Sequence, residues 1–282
     1  MSVFKWVELP ARGRRNRRGP GQKPADDVDI VALFGMAEDC RNSGQLSKAV
    51  AYYEKVVSFG SGLLDAWMGL GDSLVRIDEV AKANNVAEEA LQRYGLAGSL
   101  YGLKALVLLH DGQEVESFRY SDISLQQDEA GWYPWLVRGE ILLMQGSRSA
   151  RAQNAGYCFE RSANLAEKQW VACLWAGIVC LVNQHPALAA AYLAESAHLN
   201  PLNAFTWSKL GDAFRTLRFF DQAKFYYEQA LDVDPESESA RRGLADARAS
   251  RSRISNLIDV GSARARWARM FGLHRKRADR RD

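Results

Sequence analysis

The chain has 282 residues, of which 47% are hydrophobic and 25% charged, enough apolar content for a sizeable core and too much for a disordered polymer. Its net charge of +3 hides an asymmetry: residues 1–25 carry seven Lys or Arg against one acid and residues 238–282 carry thirteen against five, while residues 26–237 hold 17 basic and 28 acidic side chains. An acidic body between two basic ends results. The four cysteines, Cys40, Cys158, Cys173 and Cys180, form no CxxC pair and lack the spacing of a metal knuckle. They are expected as reduced core residues, with no metal site.

Residues 1–29 read as a basic N-terminal arm. Phe4, Trp6, Val7 and Leu9 are followed by ARGRRNRRGPGQKP, where Gly, Pro and like charge oppose packing, so disorder is expected. Lys5 and Glu8 interrupt the first nine residues and arginines follow them, which is not the pattern of a signal peptide. No hydrophobic segment follows the pair Arg14–Arg15, and no stretch approaches the ~20 apolar residues of a membrane span. The expected location is cytoplasmic.

From Ile30 onward, large and small apolar residues recur with a period near 34 residues. Residues 30–63 offer Leu33, Met36, Ala37 and Cys40 on one helix and Ala49, Tyr53 and Val56 on a second, which Ser47 is placed to cap. Residues 64–97 repeat the pattern with Trp67, Leu70, Gly71, Leu74, Ala83, Ala87 and Ala90. In residues 98–131, Tyr101, Ala105 and Leu108 keep the register, while Ser117, Ser121 and Ser124 take the small-residue positions of the second helix. Residues 132–169 supply Trp135, Gly139 and Leu142, then need four extra residues around GSRSARAQ before Ala155 and Phe159 fall into line. Residues 170–203 place Gly177, Ala189, Leu193 and Pro201, with Cys173 where other repeats have tryptophan.

The clearest unit follows in residues 204–237. Trp207, Leu210, Gly211 and Phe214 lie on one helix, Ala223, Tyr227 and Ala230 on the next, and Pro235 closes it, with Asn203 and Asp221 as candidate caps. Gly211 and Ala223 mark where the two helices can approach closely. Residues 238–250 then read as a solvating helix with Ala240, Leu244 and Ala247 on one face. Residues 251–282 form a basic amphipathic helix and tail, with Trp267 and Phe271 on the apolar side.

The spacing Trp207-x2-Leu210-Gly211-x2-Phe214, Ala223-x3-Tyr227 and Pro235 resembles the tetratricopeptide repeat. That resemblance covers residues 30–250 and implies an all-α, right-handed α-solenoid of about six repeats with a C-terminal capping helix. One such helix pair cannot bury its own apolar face, which is why a single good repeat predicts neighbours. The resemblance further implies a protein-interaction scaffold or assembly factor whose concave groove, lined by the first helix of each repeat, holds a partner. Carried onto this sequence, the groove positions are Phe34, Glu38, Met68, Asp72, Tyr133, Leu136, Glu140, Leu174, Phe205 and Asp212. They form an apolar surface with an intermittent acidic line, suited to a basic or apolar peptide or protein.

No phosphate loop, nucleophile elbow or paired-histidine motif is present, and the four histidines are isolated in sequence, so neither catalysis nor a cofactor is expected. A different class of function rests on the basic ends. Arg14, Arg15, Arg17 and Arg18, together with Arg266, Trp267, Arg269, Phe271, Arg275, Lys276 and Arg277, could engage a polyanion, either an anionic membrane surface or nucleic acid.

Overall fold

The computed structural model describes residues 29–257, apart from 61, 96, 128–130 and 145–149. These residues form thirteen α-helices and no strand. The first twelve are antiparallel pairs. α1 (Ile30–Asn42) pairs with α2 (Leu46–Ser58), α3 (Leu64–Arg76) with α4 (Val80–Tyr94), and α5 (Gly98–His110) with α6 (Glu114–Gln126). α7 (Trp132–Met144) pairs with α8 (Ala150–Leu165), α9 (Gln169–Val182) with α10 (Pro186–Leu199), and α11 (Ala204–Thr216) with α12 (Phe220–Val233). α13 (Glu238–Leu257) packs on α12 and α11. It is one unbroken helix, running past Ser250, where the sequence pattern ended the cap.

In five of the six pairs, one turn, repeated, sets the direction. The second residue of the turn lies in the left-handed region at Gly44 (φ +78°), Asp78 (+68°), Gly112 (+79°), Gln184 (+61°) and Arg218 (+65°). The next amide then donates back to the carbonyl five residues earlier: Gln45 to Cys40 at 2.8 Å, Glu79 to Leu74 at 2.9 Å, Gln113 to Leu108 at 2.8 Å, His185 to Cys180 at 2.8 Å, and Phe219 to Phe214 at 2.9 Å. This is a Schellman ending, which satisfies the last carbonyls of the first helix and launches the second at once. It also moves two expected caps. Gln45 and Phe219 hold the N-cap positions of α2 and α12, so Ser47 and Asp221 fall inside the first turn. Asn203 does cap α11, its side-chain oxygen accepting from the Thr206 amide at 2.8 Å, and Asp29 caps α1 through Val31 and Ala32.

Each pair is held together at a small residue of its second helix. Ala49, Ala83, Ser117, Ala155, Ala189 and Ala223 are all fully buried. The serine is accommodated because its hydroxyl donates to the Ala105 carbonyl at 2.8 Å, which offsets the cost of burying a polar group. The close approach at Gly211 is to the Tyr227 ring, 2.7 Å from where a Cβ would stand, so Gly211 and Ala223 are separate contacts of one crossing. Cys158, Cys173 and Cys180 are buried and free, and burial raises the thiols of Cys158 and Cys173 to about 11. They are inert packing atoms at neutral pH.

Candidate functional site

The first helices of the pairs stack in one row, α1 on α3, α3 on α5, and so on to α11 on α13. The row curves until the first repeat meets the fifth and sixth. The Trp175 indole donates to the Asn42 side-chain oxygen at 3.1 Å, and the Asn203 amide donates to the Asn42 carbonyl at 2.9 Å. Gly44 lies under the ring of Phe205, only 2.4 Å from where a Cβ would stand. The inner face is therefore partly filled by the chain's own first repeat.

What fills it is a chain of alternating charges. Arg41, 1% exposed, donates to Asp72 Oδ2 through Nη2 at 2.9 Å and Nε at 3.3 Å. The Tyr133 hydroxyl donates to Asp72 Oδ1 at 3.2 Å, and Arg76 Nη2 stands 3.5 Å from the same oxygen. Arg76 then makes a bidentate pair with Glu140, at 2.7 Å to Oε1 and 2.6 Å to Oε2. His110 Nε2 lies 3.2 Å from Glu140 Oε1. The Arg41 guanidinium stacks over the Trp175 ring at 4.5 Å.

Two guanidiniums and two carboxylates cancel in net charge. This matters because a buried ion survives only when its partner and its hydrogen bonds offset the loss of water. Burial alone would push the Glu140 carboxyl up, but the Arg76 charge and the hydrogen bonds from His110 and Arg76 outweigh it and hold the group at about 2. An ionised carboxylate only accepts, so His110 must carry its proton on Nε2. Burial, then the neighbouring Asp72 carboxylate, raises the Tyr133 hydroxyl well above its ordinary value. Arg41 and Arg76 stay charged because nearby carboxylates more than offset their burial.

The expected groove residues divide into two groups. Met68, Asp72, Tyr133, Leu136, Glu140 and Leu174 are buried, while Phe34, Glu38, Phe205 and Asp212 keep partial exposure. The acidic line expected to be open is thus, at Asp72 and Glu140, a set of closed ion pairs, because the array curls tightly enough to bring Arg41 and Trp175 over it. The basic and aromatic residues named for the ends, from Arg14 to Arg18 and from Arg266 to Arg277, lie outside the described residues. Sequence reasoning did not single out Arg41, Arg76, Asn42 or Trp175. Arg41 did carry a signal, since it is the twelfth residue of α1 and that position is one the family turns inward.

The accessible end of the inner face lies beside α1. Glu38 accepts a hydrogen bond from the Tyr53 hydroxyl, and the Phe34 ring lies 6.2 Å from that tyrosine. The Asp65 carboxyl is pushed up, first by burial and then by the charges of Glu38 and Glu167. Among the described residues none of the three forms a salt bridge. In the sixth repeat the Tyr227 hydroxyl likewise donates to Asp212, at 2.7 Å, and Lys209 pairs with the same carboxylate at 2.9 Å. On the outer surface a shallow groove of about 510 Å³ runs between α8 and α10, lined by Gly156, Glu160, His185, Leu188 and Tyr192 among others.

A family model for the tetratricopeptide repeat matches residues 208–256. A match to the tetratricopeptide repeat at residues 208–256 therefore sits within an all-α helical-repeat fold. Similar solved structures include a chain of the APC/C hetero-tetramer Cut9–Hcn1, at 15% identity over 79% of this chain and 44% of that one, with a TM-score of 0.48. A tetratricopeptide repeat protein from Parabacteroides merdae matches at 14% identity over 80% of this chain and 86% of its own, TM-score 0.48. The Thermus thermophilus protein TTC0263 matches at 13% identity over 77% and 98% respectively, TM-score 0.47. This chain spans less than half the length of the Cut9–Hcn1 chain it matches. No curated protein sequence matches it. Among the described residues no helix is long and apolar enough to cross a membrane.

Proposed function

We propose that the chain is a non-catalytic protein-interaction scaffold or assembly factor, and that it takes a basic or apolar segment of its partner at the α1 end of the inner face. The observation that supports this is the accessible Phe34 ring against Tyr53, whose hydroxyl donates to Glu38, with the Asp65 carboxyl raised by burial and then by Glu38 and Glu167, so that acidic charge collects at this end. Such a surface suits an Arg or Lys side chain, whose charge meets the acids while its stem or guanidinium plane lies on the ring. The centre of the inner face is excluded from this role because its charges are already paired. Selection of a random peptide display library on the full chain should enrich Arg or Lys next to an apolar residue. Phe34→Ala with Glu38→Gln should then weaken a selected peptide by about tenfold, one such contact's worth. Enrichment that ignores basic residues, or a peptide indifferent to both substitutions, would place the binding surface elsewhere.

A second reading rests on the charge asymmetry alone: the basic ends recruit the scaffold to a polyanion. Binding of the full chain to anionic vesicles that depends on Trp267 and Phe271 favours a membrane surface, and binding that follows salt alone favours nucleic acid.

A further inference from the structure

The centre of the inner face is filled by the chain itself, but the outer face of α1 is uncovered among the described residues. α1 reads IVALFGMAEDCRN, with no charged residue before Glu38. Its Ala37 and Arg41 side turns into the array, and on the other side Val31 is 75% and Met36 49% exposed. Ala32 is exposed between them, and a Cβ on Gly35 would meet nothing within 4 Å. About two turns of helix are therefore apolar and uncovered among the described residues. The far end of the array is built differently. There α13 turns Ala240, Leu244 and Ala247 inward and Arg241, Arg242, Asp246 and Arg248 outward, the polar covering that a terminal unit of a stacked array needs for solubility.

We propose that the N-terminal segment of this same chain, through Phe4, Trp6 and Leu9, docks on the Val31–Met36 face of α1 and completes that end of the array. This surface is separate from the inner-face site and stands or falls without it. The upstream residues contain one apolar run, Phe4, Trp6, Val7 and Leu9, and it matches the chemistry of the uncovered face. Reach is ample. Nineteen residues separate Leu9 from Asp29, and that many extend up to about 60 Å, whereas thirteen helical residues span about 20 Å.

Charge chooses between this segment and a second copy of the chain. Asp29 and Asp39 rim the face, and Arg41 is already committed to Asp72. The linker brings Arg12, Arg14, Arg15, Arg17 and Arg18 past that rim, so its charges are complementary. Two copies meeting face to face through α1 would instead set each acidic rim against its like.

The test uses the full chain with Trp6 replaced by the photocrosslinker p-benzoylphenylalanine. Irradiation should join position 6 to the peptide bearing residues 30–42 in a product of monomer mass. In parallel, deleting residues 2–9 should quicken hydrogen exchange at amides 33–37 about tenfold while leaving α12 unchanged. Phe4→Ser with Trp6→Ser should reproduce that change. Val31→Lys with Met36→Glu, both at exposed positions, should leave the deletion nothing further to do. A crosslink to 30–42 found only in a product of dimer mass means that a second copy covers the face and overturns the proposal. Crosslinking away from α1, or exchange in α1 that is indifferent to the deletion, overturns it as well.

Discussion

Trp175 donates its indole N–H to the side-chain oxygen of Asn42 across 133 positions of sequence, and the bond joins the first repeat to the fifth. Both groups are buried, so removing the acceptor leaves an indole N–H with neither protein nor bulk water to meet it. Asn42→Ala should lower the unfolding free energy by about 1–3 kcal/mol, the usual cost of stranding a buried donor. Urea denaturation measures this directly. A loss below about 0.5 kcal/mol would mean that the contact is not maintained in solution.

Asp72 is the shared acceptor for Arg41 and Tyr133 and stands within ion-pair distance of Arg76. Asp72→Asn keeps the shape and removes the charge, leaving Arg41 as a buried cation without its carboxylate. Breaking a buried pair in this way typically costs about 3–5 kcal/mol. Circular dichroism melts should show a large drop in Tm. A shift no larger than that of an exposed control such as Glu89→Gln, whose carboxylate pairs with Arg93 on the surface, would contradict the burial of the network.

The Glu140 carboxyl titrates at about 2 in the folded protein against an ordinary 4.5. A depressed acid stabilises the fold above its unfolded value and loses that contribution as pH falls toward its folded one. The contribution should therefore be complete above about pH 4.5 and decline between there and pH 2, with a size on the order of 3 kcal/mol. Urea midpoints measured at pH 7, 4.5 and 3 should fall more steeply for the native chain than for Glu140→Gln. Parallel curves would assign the acid sensitivity to other carboxylates.

Gly44 and Gly112 occupy the same place in their turns, at φ +78° and +79°. They differ in surroundings, because a Cβ on Gly112 meets nothing within 4 Å while one on Gly44 runs into Phe205. Alanine at either position bears the left-handed penalty, roughly 1 kcal/mol. Gly44→Ala should lose an additional ~1–3 kcal/mol for displacing the ring. Equal losses at the two sites would show that the first turn does not touch the sixth repeat.

Much of the fold was legible because it is local. Trp67, Leu70 and Gly71 recur one period later in kind as Tyr101 and Ala105 and reappear in Trp207, Leu210 and Gly211, and stacking adjacent helix pairs needs nothing beyond that period. Ser47 and Asp221 misled because residues favoured as helix caps also tolerate the first turn, and here the preceding left-handed residue had already fixed where the second helix starts. The inner face was half legible. The family pattern located Asp72, Tyr133 and Glu140, but their state depends on how tightly the array curves. That curvature accumulates from small rotations at every junction and leaves no mark at any single residue. Hence Trp175 could be read as core, yet not as the residue that Arg41 would stack on.

Joining the two ends changes how such a molecule comes apart. In an open stack each unit interacts with its neighbours alone, so the terminal units fray first and the rest can persist. Here Asn42 is held by Trp175 and Asn203, across 133 and 161 positions, and closing loops of that size costs about 4 kcal/mol of chain entropy before either bond forms. The first repeat can gain its final contacts only after the fifth and sixth exist. Closure of the first turn onto Trp175 and Asn203 is then a late step, entropically costlier than stacking one helix pair on the next. In reverse, the first repeat must give up its contacts with the fifth and sixth before it can peel away, a restraint that the terminal unit of an open stack lacks.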